Sequence, residues 1–212
     1  MTLPYLQHGP DDATGVVIML HGLGASAEDL APLAGIIGRP DWRFIFPQAP
    51  TRPVTVNGSY LMSAWYDILS LDIERKLNTE HLQEVSTQLQ ALLEQQHQSG
   101  AKVVLAGFSQ GGAVAYQAAL TSPQPLAGLL AMSTYLAAPV TIHPAQQQLP
   151  VAIHHGRQDQ VVPPLLGQRA HDTLRRSGLP VQQQHYDSGH EITSEQVQDI
   201  ATLLTRWLGH NA

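Results

Sequence analysis

Gly107-Phe108-Ser109-Gln110-Gly111 sets a serine between two glycines in the pattern G-x-S-x-G. The residues before it, Lys102–Ala106, form a short apolar run, and the Ala-rich stretch from Gly111 to Leu120 reads as a helix. In a strand–turn–helix context of this kind, a serine hydroxyl is lifted clear of a sheet on a strained turn. Side chains at 107 or 111 would collide with neighbouring backbone there, which accounts for the glycines, and Gly112 adds room. The helix start also brings its amide dipoles near the serine. Ser109 is therefore the candidate nucleophile. The plain alternative is an ordinary strand-to-helix turn with an incidental serine.

A serine hydroxyl needs a base, and in this architecture acid and histidine follow the serine in that order. The later histidines are 143, 154, 155, 171, 185, 190 and 210. His190 lies in Asp187-Ser188-Gly189-His190, between a strand-like run, Val181–Tyr186, and a helix start at Thr193. His185 falls inside that strand, His154 and His155 end another, His171 is mid-helix, and His210 is in the tail. His190 is the candidate base; its alternative is a turn histidine with a local hydrogen bond. A base histidine must be neutral, so acylation is expected to fall on the acid side, around or below neutral pH. Among the acids after Ser109, Asp172 and Asp199 are mid-helix, and Asp187 is close enough to His190 to shape its turn. Asp159, in the loop His155-Gly-Arg-Gln-Asp-Gln-Val-Val-Pro163, is the candidate partner that fixes the imidazole tautomer. Its alternative is an Asp that closes the turn through its own side chain.

A tetrahedral intermediate needs donors aimed at its developing oxyanion. One is the amide after the nucleophile, that of Gln110. The other is expected from the loop after an early strand, His21-Gly22-Leu23-Gly24, where the glycines let the Leu23 amide turn inward. His21 reads as a brace for that loop, and Asp67 as a hydrogen-bonding residue of its own loop. The His154-His155 pair lacks further metal ligands, and the chemistry calls for no metal or cofactor.

These residues must be positioned by alternating strands and helices. A continuous apolar run at Val16–Leu20 reads as a strand buried on both faces, Arg43–Phe46, Ala101–Ala106, Leu126–Met132 and Val151–His155 as further strands, and the more polar Val181–Tyr186 as one nearer the sheet edge. Helices are predicted from Ser26 to about Gly38, over Asn78–Gln98 with Gly100 as its stop, and over Gly111–Leu120. Two more run from Pro163-Pro164 to Ser177 with Gly178 as C-cap, and from a Thr193/Gln196 capping box onward. The last carries Val197, Ile200, Leu203, Leu204 and Trp207 on one face. The pattern is an α/β fold, a mostly parallel sheet with helices on both faces, in one domain over residues 1–212. Ligands of such sheets bind beyond the carboxyl ends of the strands, where the candidate residues fall.

Composition narrows the partners. Eleven Lys and Arg against seventeen Asp and Glu give a net charge of −6 with no basic patch, which argues against nucleic acid. With 43% hydrophobic and 13% charged residues the chain is globular, and at 212 residues it can bury about 70–75% of its unfolded surface. The absence of cysteine excludes a disulfide scaffold and a thiol nucleophile, and suits a reducing compartment. Met1–Pro10 has no signal-peptide pattern, and Leu126–Val140 is too short and broken for a membrane span, so a cytoplasmic protein is expected. Pro47–Asp67 reads as a long loop whose Val54, Val56, Tyr60, Leu61, Met62, Trp65 and Tyr66 could cover a pocket or simply pack it down. That loop and the edge strand leave room for a homodimer.

His21-Gly-Leu-Gly-Ala, Trp65-Tyr-Asp-Ile, Gly107-Phe-Ser-Gln-Gly-Gly, His155-Gly-x-x-Asp-x-Val-Val-Pro and Gly189-His-Glu-Ile follow one another in this order. Together they resemble the bacterial carboxylesterase family that includes the acyl-protein thioesterases and lysophospholipase-like esterases, from about Val16 to Trp207. The resemblance implies an α/β-hydrolase fold without a large cap and hydrolysis of carboxylic esters or thioesters through an acyl-serine. It implies Ser109, Asp159 and His190 as the triad and Leu23 and Gln110 as oxyanion donors. It further implies that Leu61–Asp67 borders the acyl pocket, with Leu61, Met62, Trp65 and Tyr66 as substrate-binding residues and Trp65 as one wall. Tyr66 stands where many relatives carry Phe, and Ile68–Asn78 departs from the family pattern. Three functions follow as expectations: a serine esterase, a long-chain acyl-protein thioesterase or lysophospholipase, and a non-catalytic receptor for a hydrophobic ligand on the same fold. An intact nucleophile, base and acid speak against the receptor.

Overall fold

A computed structural model describes residues 3–72 and 75–209. Its centre is a seven-stranded sheet built from β1 (Tyr5–His8), β2 (Gly15–Leu20), β3 (Trp42–Pro47), β6 (Lys102–Phe108), β7 (Gly128–Met132), β8 (Val151–Gly156) and β9 (Val181–Tyr186). Between β3 and β6 lies a separate hairpin of β4 (Thr51–Val54) and β5 (Tyr60–Ser63). The sheet order is β1-β3-β2-β6-β7-β8-β9. Only β1 is antiparallel, to β3; the remaining pairs are parallel. The helices are α1 (Ala27–Leu30), α2 (Pro32–Ile37), α3 (Thr79–Gln98), α4 (Gln110–Thr121), α5 (Pro164–Arg176) and α6 (Ser194–Leu208). This is the α/β-hydrolase arrangement, with no large cap among the described residues.

The alternation of side chains along each strand divides the core in two. Val16, Ile18 and Leu20 of β2 face one way with Val103 and Leu105, and pack against α3, α4 and α5. Val17 and Met19 face the other way with Phe44, Phe46, Val104 and Ala106, against α1, α2 and α6. Every residue of β2, β3 and β8 is buried, which is why β2 reads as an unbroken apolar run and β3 and β8 are mostly apolar. β9 alternates half-buried and exposed positions and ends the sheet, as its glutamines suggest.

Several elements differ from the sequence reading. The segment after β2 holds two short helices, because Pro32 has no N–H to continue α1 and starts α2 at its first position. Ser26 and Asp29 form a capping box at α1. At α6 the predicted box is half made among the described residues: the Thr193 hydroxyl accepts from the Gln196 amide at 3.2 Å, with no return bond from the Thr193 amide to the Gln196 side chain. The Leu126–Met132 strand starts at Gly128, where a Cβ would sit 2.2 Å from the Trp207 ring. Pro47–Asp67 is not irregular but carries the β4–β5 hairpin. His210 lies outside the described residues. No helix among the described residues is long and apolar enough to cross a membrane.

His154 of β8 gives the fold a pH dependence. Burial pushes its pKa down to about 4, and its Nδ1 lies 3.1 Å from the Tyr186 hydroxyl, which donates to Asp199 at 2.9 Å. In the unfolded chain a histidine titrates near 6.5, so its contribution is complete above that pH and is lost as pH falls from about 6.5 to about 4. The loss amounts to about 3 kcal/mol. Urea unfolding at pH 7.5 and 4.5 checks this: His154→Gln should lose less stability between the two than the wild type does, by about that amount.

Candidate active site

The site is assembled at the carboxyl ends of β2, β6, β8 and β9. Ser109 follows β6 with φ 55° and ψ −120°, the strained turn that a nucleophile elbow requires. Gly107 and Gly111 permit it. A Cβ on Gly107 would lie 2.4 Å from the Gly111 carbonyl oxygen, and one on Gly111 would lie 2.4 Å from the carbonyl oxygens of both Leu20 and His21. These obstacles are backbone, which cannot swing away. The turn is also fastened from the side: the Ser109 amide donates to the Met132 carbonyl at 2.9 Å, and the Thr134 hydroxyl donates to the Ser109 carbonyl at 2.6 Å.

From Ser109 a line of hydrogen bonds runs inward. His190 Nε2 lies 2.9 Å from Ser109 Oγ, and His190 Nδ1 lies 2.7 Å from Asp159 Oδ2. β8 and β9 make this meeting possible, because they are parallel neighbours with Gly156 opposite Tyr186, so the loops leaving them start side by side. A Cβ on Gly156 would strike the Gly189 carbonyl at 2.2 Å, so the acid loop presses directly against the histidine turn. Phe108 packs on the His190 ring at 4.8 Å between centroids. Asp159 is buried, and its other oxygen accepts from the amides of Val161 at 3.0 Å and Val162 at 2.8 Å. Burial works against its charge, but the bonds from His190 and the Val162 amide outweigh this and hold the carboxyl below its ordinary value. Asp187 lies apart from the line and accepts from the Gln158 side chain. His155 is buried beneath the acid loop, with Nε2 donating to the Val162 carbonyl at 2.8 Å, and burial keeps it neutral.

The Leu23 and Gln110 residues both line the cavity beside Ser109, and among the described residues neither amide finds an acceptor. Their loop is braced as the sequence suggests. His21 Nε2 accepts from the Ala49 amide at 3.1 Å, so Nδ1 carries the proton and donates to the Gly22 carbonyl at 2.8 Å. Burial lowers the His21 pKa, which preserves this neutral form. Asp67 likewise serves its loop, accepting from the Thr55 amide and hydroxyl at 2.7 Å each.

The four residues expected to bind substrate are placed differently. Trp65 and Tyr66 are fully buried and absent from the cavity lining. Trp65 is not a pocket wall: its indole N–H donates to the His21 carbonyl at 2.7 Å, directly behind the Leu23 loop. The Gln110 side chain accepts from the Trp65 amide at 2.8 Å and donates to the Tyr66 carbonyl at 2.7 Å, which ties elbow and loop together. Leu61 is exposed and Met62 half-buried on the β4–β5 hairpin, outside the lining. The cavity, about 480 Å³, is instead lined by Leu23, Leu30, Val56, Ile68, Leu71 and Val161, with Ser109 and His190 at its polar end. The sequence reading also passed over Thr134 and Tyr135. Their signal was available, since they follow β7 at the same edge of the sheet.

A model of the family described as phospholipase/carboxylesterase matches residues 2–208. The chain belongs to that family. Acyl-protein thioesterase 1 of Gibberella zeae is 32% identical over 92% of this chain and 91% of its own length. Acyl-protein thioesterase 1 of Cryptococcus neoformans is 35% identical over 82% and 78%. Among solved structures, acyl-protein thioesterase 2 of Zea mays superposes with a TM-score of 0.85 at 26% identity, covering 97% of this chain and 99% of that one. The carboxylesterase of Bacillus cereus, at 18% identity and a TM-score of 0.79 over 96% and 94%, shows the fold alone. The protein is thus an ester hydrolase of this family. The motifs alone pointed to a bacterial family, but these thioesterase relatives are fungal and plant proteins, so the family is not specifically bacterial.

Proposed function

We propose that the protein is a serine carboxylesterase acting through an acyl-Ser109 intermediate. The observation that carries this is the continuous line Ser109 Oγ, His190, Asp159 beside a cavity whose lining includes Val56, Ile68, Leu71 and Val161. The acyl group lies among Val56, Ile68, Leu71 and Val161. Ser109 Oγ bonds to the ester carbonyl carbon as its proton passes to His190 Nε2, and the carbonyl electron pair moves onto oxygen, facing the Leu23 and Gln110 amides. Asp159 stabilises the imidazolium. When the oxyanion collapses, the bond to the leaving oxygen breaks and that oxygen takes the proton from His190. Water repeats the sequence on the acyl-serine and releases the acid. A thioester follows the same route with sulfur leaving, and the acyl-protein thioesterase relatives favour it as the second reading.

A fluorophosphonate probe with hydrolysis of a p-nitrophenyl ester series as the parallel readout tests the proposal. One phosphonyl adduct on the Ser109 peptide, with loss of hydrolysis in step with labelling, is expected. An adduct elsewhere, or hydrolysis that survives complete labelling, contradicts it. Turnover of an oxygen ester against the thioester of the same acyl group then separates the two readings.

A further inference from the structure

Beside the catalytic cavity lies a second hollow that the mechanism does not use. It measures about 410 Å³ and is lined largely by apolar groups, among them Leu136, Ala137, Ala138, Pro139, Leu166 and Ala170. Among the described residues, Arg75 and Tyr135 line both this groove and the cavity. They form the wall between them. Tyr135 is the fixed half. It is buried, and its hydroxyl lies 2.8 Å from the buried Tyr66 hydroxyl. That bond exists because residue 66 is Tyr.

Arg75 is the other half. Its guanidinium lies over the Tyr135 ring, 5.0 Å from the centroid, and one terminal nitrogen donates to the Val161 carbonyl on the acid loop. Its Nε is buried without a partner among the described residues. The guanidinium is thus held by a hydrogen bond to Val161, by the cation–π contact and by a polar interaction with the Tyr135 hydroxyl, while its buried Nε is left unsatisfied among the described residues. The groove is lined mainly by apolar groups, with Arg169 and Thr173 as its polar members beside Arg75 and Tyr135, and its apolar part would solvate an alkyl chain well.

We propose that Arg75 is a specificity-determining partition: closed against Tyr135 it ends the acyl cavity, and displaced it joins cavity and groove into one channel for longer acyl chains. The proposal rests on the esterase reading, because it assigns the cavity to the acyl group. The relevant quantity is the ratio of kcat/KM for p-nitrophenyl laurate to that for the acetate. Removing the partition changes this ratio, whereas a general disturbance of the fold lowers both values together and leaves it unchanged.

Wild type, Arg75→Ala and Ser109→Ala are assayed side by side on the two esters. Arg75→Ala is expected to raise the laurate-to-acetate ratio at least about ten-fold, the scale on which a few buried methylenes discriminate. Refilling the groove with Ala137→Phe in the Arg75→Ala background should bring the ratio back toward wild type. A ratio within two-fold of wild type (roughly the scatter of such assays, well under the effect of one methylene) in folded Arg75→Ala overturns the partition while the Ser109 dependence leaves the esterase reading standing. If Ser109→Ala hydrolyses both esters as wild type does, the esterase reading fails and takes the partition with it. Should Arg75→Ala not fold, Arg75→Met, which keeps the apolar stem and removes the guanidinium contacts, replaces it: a raised ratio supports the partition and an unchanged one overturns it.

Discussion

Ser109→Ala is expected to lower kcat for every ester by about 10⁶-fold, the scale seen when a triad serine is removed from a serine hydrolase. The fold should survive it. Alanine keeps the Cβ, so whatever strain φ 55° imposes is common to both residues. The fastenings of the elbow are backbone to Met132 and from Thr134, and the substitution touches neither. What disappears is the hydroxyl and its 2.9 Å contact with His190 Nε2, at a cost of about 1 kcal/mol or less. The residual rate is set by water attacking substrate held against the oxyanion donors, which by themselves give about 10³–10⁴-fold over solution. Steady-state kinetics on p-nitrophenyl butyrate, paired with a thermal melt, measures both parts. Retention of activity within ten-fold (a barrier change of only about 1.4 kcal/mol) would move the nucleophile elsewhere.

The parts of the site that the sequence makes legible are those whose chemistry is local. Ser109 is announced by glycines whose absent side chains can be counted against named carbonyls. Asp159 and His190 have no local motif of that strength. They stand out because other acids and histidines fall inside strands or helices, and because loops leaving neighbouring parallel strands must meet. The residues that bind substrate follow no such rule. An aromatic in an irregular segment has the same local signature whether it faces a cavity or the core, and the partner decides. For Trp65 the partner is the His21 carbonyl, 44 positions away in the chain. The same remoteness hides Arg75, whose partners are Tyr135 and Val161.

The fold divides along a similar line. The strands β2, β6 and β8 are legible because burial on both faces demands apolar stretches, such as Val16–Leu20, Val103–Ala106 and Val151–Ile153. The elements that escape are short and at edges. β1 reads Tyr-Leu-Gln-His and is mostly exposed, so its pairing with β3 leaves little trace in its composition. β4 contains Pro53, which marks a stretch as unlikely to be a central strand; it is tolerated here because the hairpin is only two strands wide. Yet this hairpin matters to the site. Its Ser63 carbonyl accepts from the Gly24 amide at 2.8 Å, so the strand absent from the sequence reading helps hold the Leu23 loop.

Asp159→Asn should lower kcat by about 10⁴-fold with the fold intact, by reversing one tautomer. The Asp159 oxygen that accepts from the Val161 and Val162 amides sits between two donors, and only a carbonyl oxygen can replace it. The asparagine NH₂ is therefore turned toward His190 Nδ1, where the carboxylate oxygen now lies at 2.7 Å. Nδ1 must accept from it, so the single ring proton moves to Nε2 and points at Ser109 Oγ. A ring that donates to the serine cannot take its proton, and the base is lost with every atom still in place. KM should change little, because the acyl cavity is untouched. Nitrogen-15 NMR of the imidazole reports the tautomer directly, and the kinetics report its consequence. Adding Asp159→Asn to Ser109→Ala should cost nothing further, since a base has no role without its nucleophile. A loss in the single variant of less than about ten-fold (about 1.4 kcal/mol of barrier) would make Asp159 a turn-closing residue, bonded to His190 but not needed by it.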